Sequence, residues 1–227
     1  MTYDLYIGDR LFSSWSLRGW LLFEKFGIPF NTHLVGLYSG TMAQDLAALS
    51  PARLVPAVRT SDGDVIGETM AIVETLAEQN PDAGHWPADP RARILARWLC
   101  AEMAAGFGAL RQDCPMQLKY CHVGFQTSKA VLDDLNRIES LWSLARERYG
   151  QIGPWLFGDY SAADAFYAPV AARIIGYGLP VSRAATDYCT QTIQDPAFVK
   201  WRRDAQDVTY DPFPYPLDLP NHPWPTI

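Results

Sequence analysis

Apolar positions in the first eighty residues of this 227-residue chain alternate between two periods. Short apolar runs, which are typical of strands, are separated by segments in which apolar residues recur every three or four positions, as in amphipathic helices. The predicted strands are 3–7, 30–35, 57–60 and 65–66, and the predicted helices are 16–26, 41–49 and 69–79. This order, βαβαββα, predicts a parallel pair of strands extended by an antiparallel hairpin, with helices on both faces of the sheet.

The strand signals stop at a stretch rich in proline, and helical spacing follows it over 91–112, 128–149 and 196–205. A further helix is expected after Ser161, because Ser161 and Asp164 form an acidic capping box that serves folding rather than catalysis. Six prolines after Asp211 exclude a helix or an interior strand there. We therefore predict an α/β domain over 1–80, a linker over 81–90, an all-helical domain over 91–210 and a C-terminal strap over 211–227.

The composition is that of a soluble globular protein, with 48% hydrophobic and 19% charged residues. No apolar run approaches the roughly 20 residues that span a bilayer, and no signal peptide is evident at the N-terminus. A net charge of −6 argues against nucleic acid as a partner. The four cysteines form no C-x-x-C pair and the four histidines have no ligand spacing, so we predict no metal site. Because no export signal is evident, we predict a cytoplasmic protein with reduced thiols.

Two short motifs in the first half indicate a binding pocket. An X-Pro step such as Val55-Pro56 can be cis, and this would turn the main chain of Val55 toward an extended ligand. Glu68 and Thr69 open the third predicted helix, where a carboxylate can meet an ammonium group and free N–H groups can hold a carboxylate. Together the motifs predict a pocket for a small peptide with free ends. Taken singly, each is more simply an edge-strand proline or a helix N-cap.

Four segments resemble the cytosolic glutathione S-transferase family. They are Ser13-Ser14-Trp15-Ser16-Leu17-Arg18, Ser50-Pro51 with Val55-Pro56, Glu68-Thr69 leading into Ala71-Ile72-Val73-Glu74, and Gly158-Asp159 to Asp164 followed by Pro169. The serine cluster and the proline spacing are most similar to the zeta class, although Trp15 stands where that class has cysteine. No cysteine precedes residue 100, which excludes a cysteine-type mechanism.

The resemblance covers nearly the whole chain and implies a thioredoxin-like domain joined to a helical bundle, with glutathione as co-substrate. It also implies a homodimer, whose contact we expect on the exposed faces of helices 69–79 and 91–112. The γ-glutamyl end of glutathione is expected at Glu68 and Thr69. The predicted glutathione-binding residues are Leu54, Val55, Pro56, Glu68 and Thr69.

The serine cluster is the predicted catalytic element. The thiol of free glutathione has a pKa near 8.5, and lowering it by about two units requires roughly 2.7 kcal/mol of extra stabilisation of the thiolate. A serine hydroxyl and a helix N-terminus can supply this. Ser13 has the offset from Arg18 that resembles the family's active serine, so Ser13 is the first candidate, Ser14 the second, and Ser16 the expected N-cap. The alternative is that all three serines only cap the helix or shape the turn before it.

Side chains near the serines predict where the second substrate binds. Aromatic groups flank the expected sulfur position, and the first helix of the second domain would form the opposite wall, although a methionine and aromatic stripe is more often core. Arg18 either steers an anionic substrate or makes a structural ion pair. The predicted substrate-binding residues are Phe12, Trp15, Met103, Phe107 and Arg111.

We therefore predict a glutathione transferase of detoxification that adds the glutathione thiolate to a small, apolar electrophile. Three alternatives stay open. The same site can run glutathione-dependent isomerisation or reductive cleavage of an ether or halide, and the fold can also serve a non-catalytic glutathione-binding protein.

Overall fold

The computed structural model describes residues 2–206, 214–215 and 217–225. The elements of the first half are β1 (Tyr3–Ile7), α1 (Ser14–Glu24), β2 (Phe30–Leu34), α2 (Met42–Asp45), β3 (Ala57–Arg59), β4 (Val65–Ile66) and α3 (Thr69–Gln79). The sheet order is β2-β1-β3-β4, in which β1 and β2 are parallel and the other pairs are antiparallel. The predicted βαβαββα unit is therefore confirmed.

Helices cover both faces of this sheet, as the alternation of side chains along β1 requires. Tyr3, Leu5 and Ile7 are buried in the main core, which also contains the apolar stripes of α1 and α3. Tyr6 contacts a smaller cluster beside α2 on the opposite face. That second cluster consists of Val35, Leu46, Leu49, Val55 and Ala57.

The second half is mainly helical. Its elements are α4 (Pro90–Ala105), α5 (Gly108–Asp113), β5 (Tyr120–His122), α6 (Lys129–Tyr149), α7 (Ala162–Tyr177), α8 (Arg183–Gln194), α9 (Pro196–Gln206) and β6 (Asn221–Pro223). The helical bundle is confirmed, but the expectation of a half without strands is wrong, because β5 and β6 form an antiparallel pair. The pairing draws the described part of the C-terminal segment onto the bundle.

The helix predicted over 91–112 is two helices. Gly106 ends α4 with a φ of −108° and a ψ of −167°, and Phe107 has a φ of 59°, a left-handed conformation that few non-glycine residues adopt. The backbone of Phe107 cannot continue a right-handed helix, so a new helix, α5, begins at Gly108. Helical spacing continues across the break, which is why the sequence pattern did not reveal it.

The N-terminus of α7 confirms the predicted capping box of Ser161 and Asp164. The Asp164 carboxylate accepts hydrogen bonds from the Ser161 N–H at 2.9 Å, the Leu156 N–H at 3.1 Å and the Tyr188 hydroxyl at 3.0 Å. Burial raises the pKa of Asp164 to about 6, against the opposing effect of these donors. This carboxylate therefore ties α7, α8 and the preceding loop together.

The two halves share one core rather than meeting at a loose linker. Trp20 of α1 lies 5.3 Å, between ring centroids, from Trp201 of α9. The segment expected as a linker is packed between the halves at His85, which is buried. The Nε2 atom of His85 lies 2.9 Å from the carbonyl oxygen of Leu22, and the carbonyl of His85 accepts the Ala162 N–H at 2.8 Å. The first helix is thus held against the bundle along its length. None of the described helices is long and apolar enough to cross a membrane.

Candidate active site

The loop between β1 and α1 is shaped by Asp9. Its buried carboxylate accepts the N–H groups of Leu11 at 2.8 Å and Phe12 at 3.1 Å, and its carbonyl accepts the Ser13 N–H at 2.8 Å. This is an Asx turn, in which an aspartate side chain accepts the backbone N–H two residues later. Asp9 was not predicted as a site residue, although it stands only four positions before Ser13. The turn fixes where α1 begins.

The N-cap of α1 is Ser13, so the expectation that Ser16 caps this helix is wrong. Ser13 Oγ accepts the Ser16 N–H at 3.3 Å and donates to Ser16 Oγ at 2.8 Å. Ser16 is fully buried as the third helical residue, and its hydroxyl oxygen also accepts the Gly8 N–H at 2.9 Å. The hydroxyl of Ser13 is therefore engaged in the cap, and that of Ser16 joins α1 to the end of β1.

Ser14 and Trp15 are the first two residues of α1, and both are partly exposed. Their backbone N–H groups and the Ser14 hydroxyl make no hydrogen bond to any group in the described ranges, as expected for the first turn of a helix. Of the three clustered serines, Ser14 therefore presents the hydroxyl that is available to a ligand. It stands at the positive end of the helix dipole.

The Val55–Pro56 peptide bond is cis, the isomer that the predicted pocket requires, and so is the Ser50–Pro51 bond. The main-chain N–H and C=O of Val55 pair with no other group in the part of the chain that the structure describes. The loop rests on α1, since a Cβ added to Gly19 would come within 2.7 Å of the Pro56 ring. A Cβ on Gly8 would lie 3.3 Å from the Val55 side chain. The structure thus packs the cis-proline loop against α1 and the residue that follows β1.

Glu68 and Thr69 stand at the start of α3, as predicted. Glu68 is the exposed N-cap residue, and its carboxylate makes no capping hydrogen bond and no ion pair with the described residues. Thr69 is buried as the first helical residue. Leu54, also predicted in the glutathione site, is 60% exposed. An exposed, unpaired carboxylate at a helix start leaves both the acid and the free N–H groups behind it available to a ligand.

The wall beside the serines carries cations as well as aromatic groups. The Trp15 ring lies 4.6 Å from the Arg18 guanidinium and 5.0 Å from that of Arg111, measured to the ring centroid. Arg18 is buried, with its Nε donating to the Phe166 carbonyl at 2.8 Å, and its Nη2 has no partner among the described residues. Arg18 therefore makes no structural ion pair within these ranges, which was one of the two expectations for it.

A third arginine, Arg173 of α7, completes this cluster. Burial, together with the charge of Arg111, lowers the pKa of Arg173 to about 10. Burial lowers the pKa of Arg18 well below its usual range, with the charges of Arg173 and Arg111 as lesser causes. Within the described ranges, none of the three forms an ion pair with a carboxylate. Arg173 was not predicted as a site residue, since nothing local marks a helical arginine as part of a site.

The other predicted substrate residues divide between site and core. Phe12 is buried and stacks edge-to-face with Tyr38, the residue four positions after β2. Met103 has no exposed surface and lies in the main core, so its assignment to the substrate wall is wrong. Phe107 is also a core residue, with 6% of its surface exposed at the break between α4 and α5. The stripe predicted along 91–112 was thus mainly core, and Arg111 of α5 is its half-buried exception.

Two other features of the molecule lie away from the serine loop. A cavity of about 520 Å³ between α6 and α8 is lined by residues such as Trp142 and Tyr188, and contains none of the predicted site residues. The four cysteines are buried free thiols. Within the described residues, no group of three histidine, cysteine or acidic side chains is arranged to hold a metal ion.

Comparisons with known proteins identify the family of the chain. The family model for the N-terminal domain of glutathione S-transferase matches residues 12–79. The chain is 30% identical over 211 residues to a probable maleylacetoacetate isomerase of Caenorhabditis elegans, covering 90% of this chain and 95% of that protein. It is 27% identical over 178 residues to maleylacetoacetate isomerase of Rattus norvegicus, covering 74% and 76%.

Solved structures show the same fold. A glutathione transferase homologue from Burkholderia, with bound glutathione, superposes with a TM-score of 0.67 at 24% identity, covering 91% of this chain and 99% of that one. A homologue from Sulfitobacter, also with bound glutathione, gives a TM-score of 0.64 at 18% identity, covering 89% and 98%.

Proposed function

The chain belongs to the glutathione S-transferase family, and on that premise we propose that it binds glutathione beside Val55 and transfers its thiolate to a small electrophile. The observation that carries this proposal is the unpaired main chain of Val55, in a loop that packs on α1, a helix whose first turn is also free. An extended tripeptide pairs with such a main chain as an added strand would. Its thiol then has hydrogen-bond donors at the start of α1.

The two ends of glutathione have partners of opposite charge. Glu68 offers an unpaired carboxylate to the γ-glutamyl ammonium group. The free N–H groups at the start of α3, with the hydroxyl of Thr69, suit the neighbouring carboxylate. A ligand carrying both charges on one carbon matches this arrangement, whereas a simple anion would be repelled by Glu68.

We assign the activation of sulfur to Ser14 before Ser13. Ser13 Oγ donates to Ser16 Oγ, so it would have to leave the helix cap in order to reach a thiolate. The Ser14 hydroxyl and the N–H of Trp15 have no such commitment in the described part of the chain. One hydrogen bond to an anion contributes about 1.5–3 kcal/mol, which corresponds to a fall of about one to two units in the pKa of bound glutathione.

A second candidate function, glutathione-dependent isomerisation, is favoured by the arginine cluster. Arg18, Arg111 and Arg173 give the pocket a positive potential that suits an electrophile with a carboxylate rather than a wholly apolar one. In such a reaction the thiolate adds to a conjugated double bond, the electron pair moves onto the adjoining carbonyl, and its return expels the thiolate after rotation. The relatives named maleylacetoacetate isomerase support this candidate.

The thiolate absorbance of bound glutathione, titrated against pH, tests the site. We expect Ser14→Ala to raise the pKa of the bound thiol by about one to two units. Ser13→Ala is expected to cost about 1 kcal/mol of helix stability, with a smaller effect on that pKa. An effect at Ser13 alone would return the role to that residue. Bound glutathione with an unshifted pKa in the unmodified protein would identify a passive binder and contradict the enzymatic proposal.

We also propose a homodimer in the cytoplasm that acts in detoxification. Ile94 and Trp98 are four residues apart on α4 and are 69% and 50% exposed, so they form an apolar pair on one helical face. Arg97, between them, makes a two-pronged ion pair with Glu74 of α3. This surface joins the two helices that were expected at the two-fold contact.

A further inference from the structure

The described part of the C-terminal segment is fastened to the helical domain. β6 pairs with β5, and the Val123 N–H donates to the Pro220 carbonyl at 2.8 Å. Trp224 is buried against Gly176 of α7, where an added Cβ would come within 3.3 Å of its ring. The Arg202 guanidinium of α9 lies 5.5 Å from the centroid of the same ring. This end of the segment therefore has a fixed place on the bundle.

Tyr215 carries the same segment onto the other domain. Its hydroxyl oxygen lies 3.1 Å from that of Tyr38. Its ring centroid is 6.3 Å from that of Tyr38 and 6.2 Å from that of Phe12, with steeply inclined planes in both pairs. Phe12 directly precedes the N-cap of α1. A side chain from the end of the sequence is thus packed on the loop that presents Ser14.

Tyr215 also borders the arginine cluster. Its phenol is close enough to Arg173 of α7 for the two groups to interact electrostatically. Tyr215 therefore contacts Phe12 of the first domain and interacts with Arg173 of the second. We place the electrophile, and so the co-substrate cleft, beside these residues.

We propose that Tyr215 is a specificity-determining residue of the co-substrate site, held at the edge of the cleft by its contacts with Phe12 and Tyr38. Its ring then limits the size of the group that can be attached to the glutathione sulfur. This inference rests on the proposed function, since it concerns the pocket next to bound glutathione. An aromatic ring with few degrees of freedom suits such a wall, because little conformational entropy is lost when it is held.

The test uses glutathione derivatives that need no reaction. S-methylglutathione and S-(naphthylmethyl)glutathione share all contacts of the tripeptide and differ only in the group that enters the cleft. Calorimetry gives both dissociation constants for the unmodified protein and for each variant. We expect Tyr215→Ala to lower the ratio of the naphthylmethyl to the methyl dissociation constant at least fivefold, because the larger group gains space. The affinity for S-methylglutathione should stay within twofold.

Two conservative variants and one control sharpen the result. Tyr215→Phe and Tyr38→Phe each remove one of the two hydroxyl groups that contact each other. Each should therefore lower the ratio of dissociation constants less than Tyr215→Ala does. The double variant should lower the ratio no further than either single variant. Leu217→Ala removes a partly buried side chain of the same segment that packs against the main core. It should leave the ratio unchanged.

The outcomes separate this inference from the function on which it rests. Failure of the unmodified protein to bind either derivative would overturn both. If it binds both, a ratio in Tyr215→Ala that is unchanged or raised overturns the role of Tyr215 and leaves the proposed function standing. An equal fall in Leu217→Ala would overturn the assignment to Tyr215, because the effect would then belong to the whole segment.

Discussion

Replacing Arg18 by methionine should make the protein more stable, although a buried side chain is truncated. Arg18 is 1% exposed, and its guanidinium has no carboxylate partner among the described residues and is opposed by the charges of Arg173 and Arg111. Burying an unpaired charge costs several kcal/mol even after relaxation. A methionine of similar length fills the same space without that cost.

The interactions that Arg18→Met removes are modest. The cation–π contact with Trp15 contributes about 0.5–2 kcal/mol. The Phe166 carbonyl loses its hydrogen bond from Arg18, but it lies within α7 and keeps its role as a helical acceptor. The balance is an increase of about 2 kcal/mol in the free energy of unfolding. For a chain of this size, this corresponds to a rise of about 4–8 °C in the melting temperature.

The same substitution should weaken the binding of anions. An anion in contact with the Trp15 ring would lie roughly 8 Å from the Arg18 guanidinium, which at an effective dielectric constant of about 20 contributes about 2 kcal/mol. The affinity for S-carboxymethylglutathione should therefore fall by roughly thirtyfold relative to S-ethylglutathione. Stability and anion affinity should thus move in opposite directions, as in other trade-offs between stability and function.

Chemical denaturation and calorimetry measure the two effects, with Arg97→Met as the control. Arg97 is an exposed arginine paired with Glu74, so the same chemical change there should alter stability by less than about 1 kcal/mol. A lower stability of Arg18→Met would refute the reasoning, because the cation–π contact and the hydrogen bond of Arg18 would then outweigh the cost of burying its charge. An unchanged preference between the two glutathione derivatives would refute the electrostatic role.

Three further predictions concern other parts of the molecule. Glu68→Ala should weaken glutathione binding at least tenfold, because a charge-assisted contact contributes about 1.5–3 kcal/mol; equal affinities in calorimetry would contradict the site. Ile94→Asp together with Trp98→Asp should give monomers in sedimentation, and a persisting dimer would place the contact elsewhere. Burial raises the pKa of Asp164 to about 6. Between about pH 4 and 6 the folded protein therefore holds a proton on Asp164 that the unfolded chain has released. The contribution of Asp164 to stability falls as the pH rises through this range. Asp164→Asn should lower the free energy of unfolding by roughly 2–4 kcal/mol at pH 7, because buried donors lose a carboxylate acceptor. The substitution should also remove the fall in stability between about pH 4 and 6. If denaturation curves show the same dependence of stability on pH in the variant, the assignment to Asp164 is contradicted.

The elements of the first domain and the start of α7 could be predicted because their signals are local. The alternation along β1, the turn before β4 and the capping pair at α7 each lie within a few residues. The N-cap of α1 was assigned three residues too late, because the Asx turn of Asp9 lets the helix begin at Ser14. Phe107 was expected within a helix because helical spacing runs through the break, and the left-handed residue that interrupts it has no marker in the sequence.

The parts of the site that could not be predicted depend on contacts between distant segments. The Arg18 guanidinium donates to the carbonyl of Phe166, 148 residues later. Tyr215 meets Tyr38 across 177 residues. Met103 and Trp15 look equally suited to a substrate wall in the sequence, and only the packing of α4 against α7 places the first in the core.

The shared core of the two halves also bears on how the chain is made. The buried face of α1, with Trp20, Leu22 and Arg18, is covered by segments of the bundle that are synthesised much later. About 80 residues separate the end of α3 at Gln79 from the start of α7 at Ala162. At ribosomal rates of about 5–20 residues per second, the first domain waits roughly 4–16 seconds with that face uncovered. The newborn chain thus presents an apolar surface to the cell until its own second half arrives to cover it.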